Sequence, residues 1–174
     1  MLDGTRAPYL EDLFNSLQNS NTLMNHGLPD IPVITPKDIM VFADWDEDKK
    51  SRQYGCKVII EPLDSEPDQT PNEACKTKFN HRFNVMAQVK NARATQQHFQ
   101  ACEDNGVYSF KGAFVDAANL EKLIREAMIE ANDQLFAFGQ RKLYEKFRLV
   151  RLPDTIQSNG WLVMTQLYET SYIF

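Results

Sequence analysis

The sequence lacks any motif that would identify an enzyme or a cofactor-binding protein. It contains no glycine-rich phosphate loop and no G-x-G-x-x-G pattern, and no serine stands in a nucleophile elbow or a Ser-x-x-Lys context. His26, His81 and His98 lie far apart and form no i, i+4 pair. Because a small enzyme normally carries a recognisable polar set on its loops, this absence predicts a protein that is not an enzyme and holds no cofactor.

Cysteine is scarce, and long apolar runs are missing. Cys56, Cys75 and Cys102 are odd in number and form no C-x-x-C pair, which argues against a disulfide framework or a zinc site and indicates reduced thiols. No apolar run approaches the roughly 18 residues of a membrane span. The first residues also lack the charged and apolar blocks of a signal peptide. These absences predict a cytoplasmic protein with no membrane partner.

Positive charge is not in excess. The formal net charge is −5 over 174 residues, which argues against a broad electrostatic grip on nucleic acid, so no specific nucleic-acid binding is expected. A local basic cluster nevertheless exists, formed by Arg141, Lys142, Lys146, Arg148 and Arg151. Such a cluster can contact a phosphate backbone, but it more often forms a solvated face or pairs with acidic residues of a neighbouring subunit.

A short acidic run, Asp44-Trp45-Asp46-Glu47-Asp48, separates two strand-like segments. Its alternating carboxylates match the start of a calcium loop. The sixth position is Lys49 and the twelfth is Gly55, however, where that loop needs glycine and glutamate. Lys49, Lys50 and Arg52 also neutralise the run. The sequence therefore predicts a projecting, solvated hairpin loop with no metal.

Two segments have the apolar spacing of amphipathic helices. Residues 8–19 begin at Pro8, which suits a first helical position, and place apolar side chains at helical intervals from Tyr9 to Leu17. The second helix is capped by Asp116, runs from 117 to about 138 and stops at Gly139. Its predicted apolar face consists of Leu120, Leu123, Ile124, Ala127, Met128, Ala131, Leu135 and Phe138.

Alternating patterns predict the strands of a single α+β domain spanning 1–174. The strands are placed at 39–43, 54–63, 83–89, the second half of 143–151, and 161–174. Between them we expect an extended, proline-rich connector over 25–37, a mobile loop over 64–80 and a short helix over 95–103. The element order predicts a mainly antiparallel sheet covered on one face by the long helix.

The last predicted strand is the richest apolar run of the chain. Its anchors are Trp161, Tyr168, Tyr172, Ile173 and Phe174. Two interpretations stay open. These residues belong to the core alone if the strand is central, or they belong to the core and also form a docking edge if the strand is terminal.

This element order resembles that of bacteriophage tail terminator and tail completion proteins, which are small α+β subunits that form a ring at the head-proximal end of the tail. The shared features are an N-terminal helix (Tyr9 to Leu17), a proline-punctuated connector (Pro29 to Val33), strands with a long charged hairpin loop, one long helix (Asp116 to Phe138) and an aromatic terminal strand (Trp161 to Phe174). Neck and head–tail connector subunits share the same features.

The resemblance implies a structural virion protein that is assembled in the host cytoplasm. It implies a homo-oligomeric ring, with a hexamer favoured, that contacts the tail tube or connector proteins. The alternative is a small cytosolic α+β enzyme or ligand-binding domain of unknown substrate, which a convergent pocket of His, Cys or carboxylates would favour. A cellular adaptor that binds through the aromatic strand is a third interpretation.

Overall fold

The structure is a computed structural model, and it describes residues 9–41, 55–67, 78–90, 100–104, 107–111, 113–139, 141–151, 155–158 and 161–173. The described helices are α1 (Tyr9–Gln18), α2 (Asn21–Met24) and α3 (Ala113–Leu135), with a 3₁₀ turn at Pro36–Asp38. The strands are β1 (Ile39–Val41), β2 (Cys56–Pro67), β3 (Lys78–Lys90), β4 (Gln100–Asp104), β5 (Val107–Lys111), β6 (Arg148–Arg151), β7 (Thr155–Ser158) and β8 (Trp161–Ile173).

The main sheet has six strands in the order β1-β2-β3-β8-β6, and β7 pairs with β8 on the same side as β6. Every pairing is antiparallel except β1 with β2. Strands β4 and β5 form a separate two-stranded hairpin. The predicted α+β class, with a mainly antiparallel sheet and a long helix packed on it, is confirmed.

Strict alternation decides which side chains face the helices. On β3, Phe83, Val85, Ala87 and Val89 are buried beneath α1 and α3, as the sequence pattern predicts. Cross-strand partners continue this core on both sides: Val58 and Ile60 from β2, and Leu162, Met164, Tyr168 and Tyr172 from β8. The core is therefore a layer between one sheet face and the two helices.

Helix α3 buries the predicted apolar stripe but has different ends. Six members of the stripe are buried, and Leu135 packs against them; the six are Leu120, Leu123, Ile124, Ala127, Met128 and Ala131. The helix starts at Ala113, so Asp116 lies in its first turn, where a carboxylate favours the helix dipole, and is not the cap. It ends before Phe138, which is fully exposed at 108%. The assignment of Phe138 to the apolar face was wrong. The helix ends at Leu135, so helical spacing no longer places Phe138 on the side of the core.

A buried polar link fixes α3 on the sheet. Gln166 of β8 points into the core and donates from Nε2 to the backbone oxygen of Glu121 at 3.0 Å, and its own oxygen accepts from the Tyr168 hydroxyl. The Arg125 guanidinium lies 6.0 Å from the centre of the Tyr168 ring. Because a buried amide must find partners, this link favours one position of α3 along β8.

The connection from β1 to β2, whose sequence contains Asp44 to Asp48, does not form a β1–β2 hairpin. β1 and β2 are parallel neighbours, with Ile39 opposite Val58 and Val41 opposite Ile60. Parallel strands cannot be joined by a tight turn and need a crossover. The hairpin prediction for Asp44, Trp45, Asp46, Glu47 and Asp48 was therefore wrong in its connection, while these residues themselves lie outside the described part of the chain.

Two other predicted segments also differ from the structure. The loop expected over 64–80 is shorter, because β2 continues to Pro67 after a bulge near Pro62 and β3 already begins at Lys78; residues 68–77 lie outside the described ranges. The short helix expected over 95–103 is wrong for 100–103, which belong to β4. The sequence between β4 and β5 contains Asn105-Gly106, a dipeptide that favours a hairpin. The antiparallel pairing of β4 with β5 outweighs the weak helical pattern.

Strand β8 is interior, with β3 on one side and β6 and β7 on the other. Tyr168 and Tyr172 are buried on its helix-covered face, and Tyr172 stacks on Phe79 with ring centres 5.6 Å apart. These two tyrosines are core residues, so the docking edge expected at them is not there. A strand that is paired on both sides has no free edge to offer.

A carboxylate from α3 caps α2, a helix that the sequence pattern did not reveal. Glu130 accepts hydrogen bonds from the Ser20 hydroxyl and from the backbone N–H groups of Asn21 and Thr22, each at 3.0 Å. Burial raises the pKa of Glu130, but the hydrogen bonds from Thr22, Ser20 and Asn21 outweigh it and leave the pKa below its ordinary value. This cap ties the connector to the long helix.

Glu130→Gln is expected to lower stability by about 1 kcal/mol at neutral pH, because half of the acceptor capacity is lost at a helix N-terminus. Since the folded-state pKa is depressed, this stabilisation is present above the unfolded pKa of about 4.3 and is lost as pH falls through the folded value. Urea unfolding at pH 7 and pH 3 measures both effects. Glu126→Gln on the same helix is the control, and an equal loss in both variants would contradict the capping role.

Candidate assembly interface

One end of the sheet carries a row of three charges. The strand register places Glu169 of β8 opposite Arg82 of β3 and Arg148 of β6. The nearly buried Glu169 carboxylate accepts from Arg82 Nε at 3.1 Å and also from Arg148 Nη2. The Arg148 side chain is 75% exposed. Because a guanidinium has five N–H donors, Arg148 keeps donors directed to solvent after it has bound Glu169.

The segment before β6 is held by a side-chain clamp. Asn132 of α3 donates from Nδ2 to the Phe147 carbonyl at 2.9 Å and accepts from the Phe147 N–H at 2.8 Å. An asparagine amide presents an N–H donor and an oxygen acceptor side by side in one plane, so it can bind both the N–H and the carbonyl of a backbone residue that no strand pairs. This clamp fixes the two neighbours of Phe147, namely Lys146 and Arg148.

Contacts with β8 and α1 hold the same segment from other sides. The Glu145 N–H donates to the Ser171 carbonyl at 2.8 Å, and the Thr170 hydroxyl donates to the Glu145 carbonyl at 2.7 Å. Asp12 of α1 accepts from the Tyr144 hydroxyl at 2.6 Å and from Lys142 Nζ at 3.3 Å. Burial first, and then Asp12, raise the pKa of Tyr144 far above its ordinary value, so the phenol stays a donor.

A polar cleft of about 290 Å³ opens beside this segment. Its lining residues come from β3, β8 and the chain that leads into β6: Lys78, Asn80, Glu145, Lys146, Arg148, Glu169, Thr170 and Ser171. Both carboxylates already have basic partners, since Glu169 binds the two arginines and Glu145 lies 3.4 Å from Lys78. Lys146 is exposed and makes no ion pair with the described part of the chain.

The cleft therefore presents surplus positive charge on a protein whose net charge is −5. Its donors are an ammonium, a guanidinium and the Asn80 amide nitrogen, since the Asn80 oxygen accepts from the Ser171 hydroxyl at 2.8 Å. Such a set recognises carboxylate or phosphate oxygens. This set of donors can bind an anionic group.

A second cavity, of about 340 Å³, lies between α2 and α3. It contains His26, whose two ring nitrogens are both engaged: Nδ1 accepts from the Leu28 N–H at 2.9 Å, so Nε2 is the donor to the Pro32 carbonyl at 3.0 Å. These bonds hold the connector and leave the imidazole no free nitrogen for catalysis.

The described ranges contain no group of three or more His, Cys, Asp or Glu side chains that could hold a metal. Cys56 is a buried free thiol, and burial together with Asp38 raises its pKa to about 12, against a smaller lowering by the Lys57 N–H. Among the described helices, none is both long enough and apolar enough to cross a membrane.

Of the residues predicted as an interface, the three whose side chains the structure describes do not share one surface. Trp161 is half-buried on the sheet face opposite the helices, whereas Tyr168 and Tyr172 lie in the core. Ile173 ends β8 and its side chain is not described, and Phe174 lies outside the described ranges.

The predicted basic cluster lies partly at the cleft. Two of its members, Lys146 and Arg148, line the cleft, and Lys142 is paired with Asp12 instead. The sequence did not predict that these basic residues would form a cleft together with residues of β3 and β8. The available signal was Glu169, a carboxylate placed on an otherwise aromatic and hydroxyl-rich strand end.

No protein-family model matches the chain, and no curated protein matches it in sequence.

Proposed function

We propose that this protein is a structural virion subunit of the tail terminator or neck type, which assembles into a homo-oligomeric ring at the head–tail junction. The observation that carries the proposal is the order of elements: α1, a proline-rich connector, the strands β1 to β3, the single long helix α3, and β8. This is the order in which the chain resembles those subunits, and it extends over most of the sequence.

The two ends of the strand order support a ring of identical subunits. The sheet begins with β1, which is only three residues long, and ends with β6 and β7 beside the basic cleft. A subunit with two different edges suits head-to-tail contacts, in which one surface binds a different surface of the next copy. Such heterologous contacts generate a ring when the rotation closes.

The many side-chain contacts at the cleft end of the sheet also fit an assembly role. The end of the sheet that carries the cleft is fixed by the charge row at Glu169, the Asn132 clamp and the Asp12–Tyr144 contact. A prearranged surface loses less conformational entropy on association than a mobile one. The proposed partners are other copies of the chain and, at the faces of the ring, tail tube or connector proteins.

Electron microscopy of the purified full-length chain tests the proposal. We expect closed rings of uniform diameter with a central channel, and we favour six-fold symmetry. Class averages that show only single compact particles or two-fold dimers, at protein concentrations up to the millimolar range, would reject the ring. Images should be taken at two ionic strengths, because charged contacts weaken as salt rises.

A further inference from the structure

We propose that the basic cleft of one subunit receives the acidic run Asp44 to Asp48 of the next subunit. This inference depends on the proposed function, because it names the contact that would build the ring. The cleft is the surface defined above by Lys78, Lys146, Arg148 and their neighbours. Its occupant is a second copy of this chain.

The donors of the cleft are arranged to accept carboxylates. Lys146 is exposed and lies outside any ion pair of the described chain, while Arg148 is anchored by Glu169 on one side and open to solvent on the other. The Glu169 carboxylate orients Arg148 and removes the conformational cost of holding it in place. A carboxylate that approaches from outside would meet an ammonium and a guanidinium together.

The sequence contains one run whose charge complements this surface. Asp44, Asp46, Glu47 and Asp48 concentrate four carboxylates in five positions, and Trp45 adds an aromatic side chain of the kind that anchors interfaces. The cations of this stretch, Lys49, Lys50 and Arg52, follow the acids and do not interrupt them. The acids can therefore face a basic partner as a block.

The strand that precedes the acidic run and the basic cleft lie at different places on the sheet. The acidic run lies in the connection from Val41 of β1 to Cys56 of β2, and β1 is the edge strand. The cleft extends from β3 across β8 to β6, the strand at the other end of the strand order. Four strand spacings separate β1 from β6, roughly 19 Å. Contact between the acidic run of one copy and the cleft of the next joins two different surfaces, so it is heterologous, which is the requirement for a ring.

The connection is also long enough to reach a neighbour. It must return along the sheet only from the level of Ile60, opposite Val41, to that of Cys56, roughly 13 Å. Fully extended, residues 42–55 would span roughly 46 Å. The connection is therefore longer than the shortest path between β1 and β2 requires.

Charge-swap complementation tests this contact. Lys146→Glu places a repulsive charge in the cleft, and Asp46→Lys does the same in the acidic run. Each variant alone is expected to raise the protein concentration at half-assembly at least ~10-fold, because like charges face each other. An equimolar mixture should restore assembly to within about threefold of wild type, since wild-type and swapped contacts then alternate around an even-numbered ring.

Controls separate assembly from folding. Lys122 is an exposed residue of α3 that does not line the cleft. Lys122→Glu makes the same charge change as Lys146→Glu and should assemble like wild type. All variants should melt within a few degrees of one another, which shows that the subunit is intact. Rings that persist in both single variants, or a mixture that fails to recover, would overturn the inference and leave the proposed ring standing. A wild-type chain that forms no ring would overturn both.

Discussion

Phe83→Ala is expected to reduce the free energy of unfolding by about 3–5 kcal/mol, the range for truncating a buried phenylalanine. Phe83 has no exposed surface. Its ring centre lies 4.9 Å from that of Tyr9, 5.8 Å from that of Tyr168 and 5.5 Å from that of Phe147. The substitution would leave a cavity where α1, β3, β8 and the segment before β6 meet, so all four would lose contacts.

Phe138→Ala is the matched control, because it removes the same atoms from a fully exposed position. It should change stability by less than about 0.5 kcal/mol. Urea unfolding followed by circular dichroism gives both values. A Phe83→Ala loss below about 1 kcal/mol would show that the aromatic cluster does not hold α1 on the sheet.

Ile124→Ala is expected to cost about 2–5 kcal/mol, the range for truncating a buried isoleucine. Ile124 is 1% exposed and lies in the middle of the α3 stripe that packs on the sheet. Ile129 lies on the same helix but is 46% exposed, so Ile129→Ala removes the same groups with much less lost burial. The difference between the two variants isolates helix–sheet packing from helix propensity, which changes equally in both.

Equal losses in the two isoleucine variants would mean that α3 does not present this face to the sheet. Thermal unfolding of both proteins at one pH is sufficient for the comparison. If instead Ile129→Ala alone weakened assembly without changing the melting temperature, Ile129 would belong to an interface between subunits.

Local patterns predicted the elements that hold the core. The spacing of Leu120, Ile124 and Met128 on α3, and the alternation around Phe83 on β3, reflect burial on one face, which periodicity reports directly. The ends of α3 were less predictable. Asp116 serves equally well as a cap or in a first turn, and an apolar residue such as Phe138 fits the helical pattern even after the helix has ended.

Long-range pairing was beyond the reach of local patterns. Nothing in the run from Ile39 to Val41 distinguishes a parallel from an antiparallel neighbour, so the connection to β2 was predicted as a hairpin. The short helix α2 depends on a carboxylate from Glu130, more than a hundred residues away. An element stabilised by tertiary contacts alone leaves little signal in its own sequence.

The candidate interface could be predicted only in part, for the same reason. The basic residues around Lys146 and Arg148 were visible as a cluster. Which of these basic residues forms an ion pair depends on Glu169 and Asp12. The register of β8 brings Glu169 to Arg148, and the packing of α1 brings Asp12 to Lys142. The aromatic strand, in contrast, was an ambiguous signal, because interior and edge strands both carry such runs.

The mass of the full-length chain in solution tests the ring most directly. It should be measured by multi-angle light scattering over a concentration series at low and moderate salt. For a ring of identical subunits we expect a discrete mass that is a whole-number multiple of the 20.1 kDa chain, with six copies favoured, and a shift toward monomer as salt weakens the charged contact. A constant mass of 20.1 kDa at every concentration and salt level would contradict it.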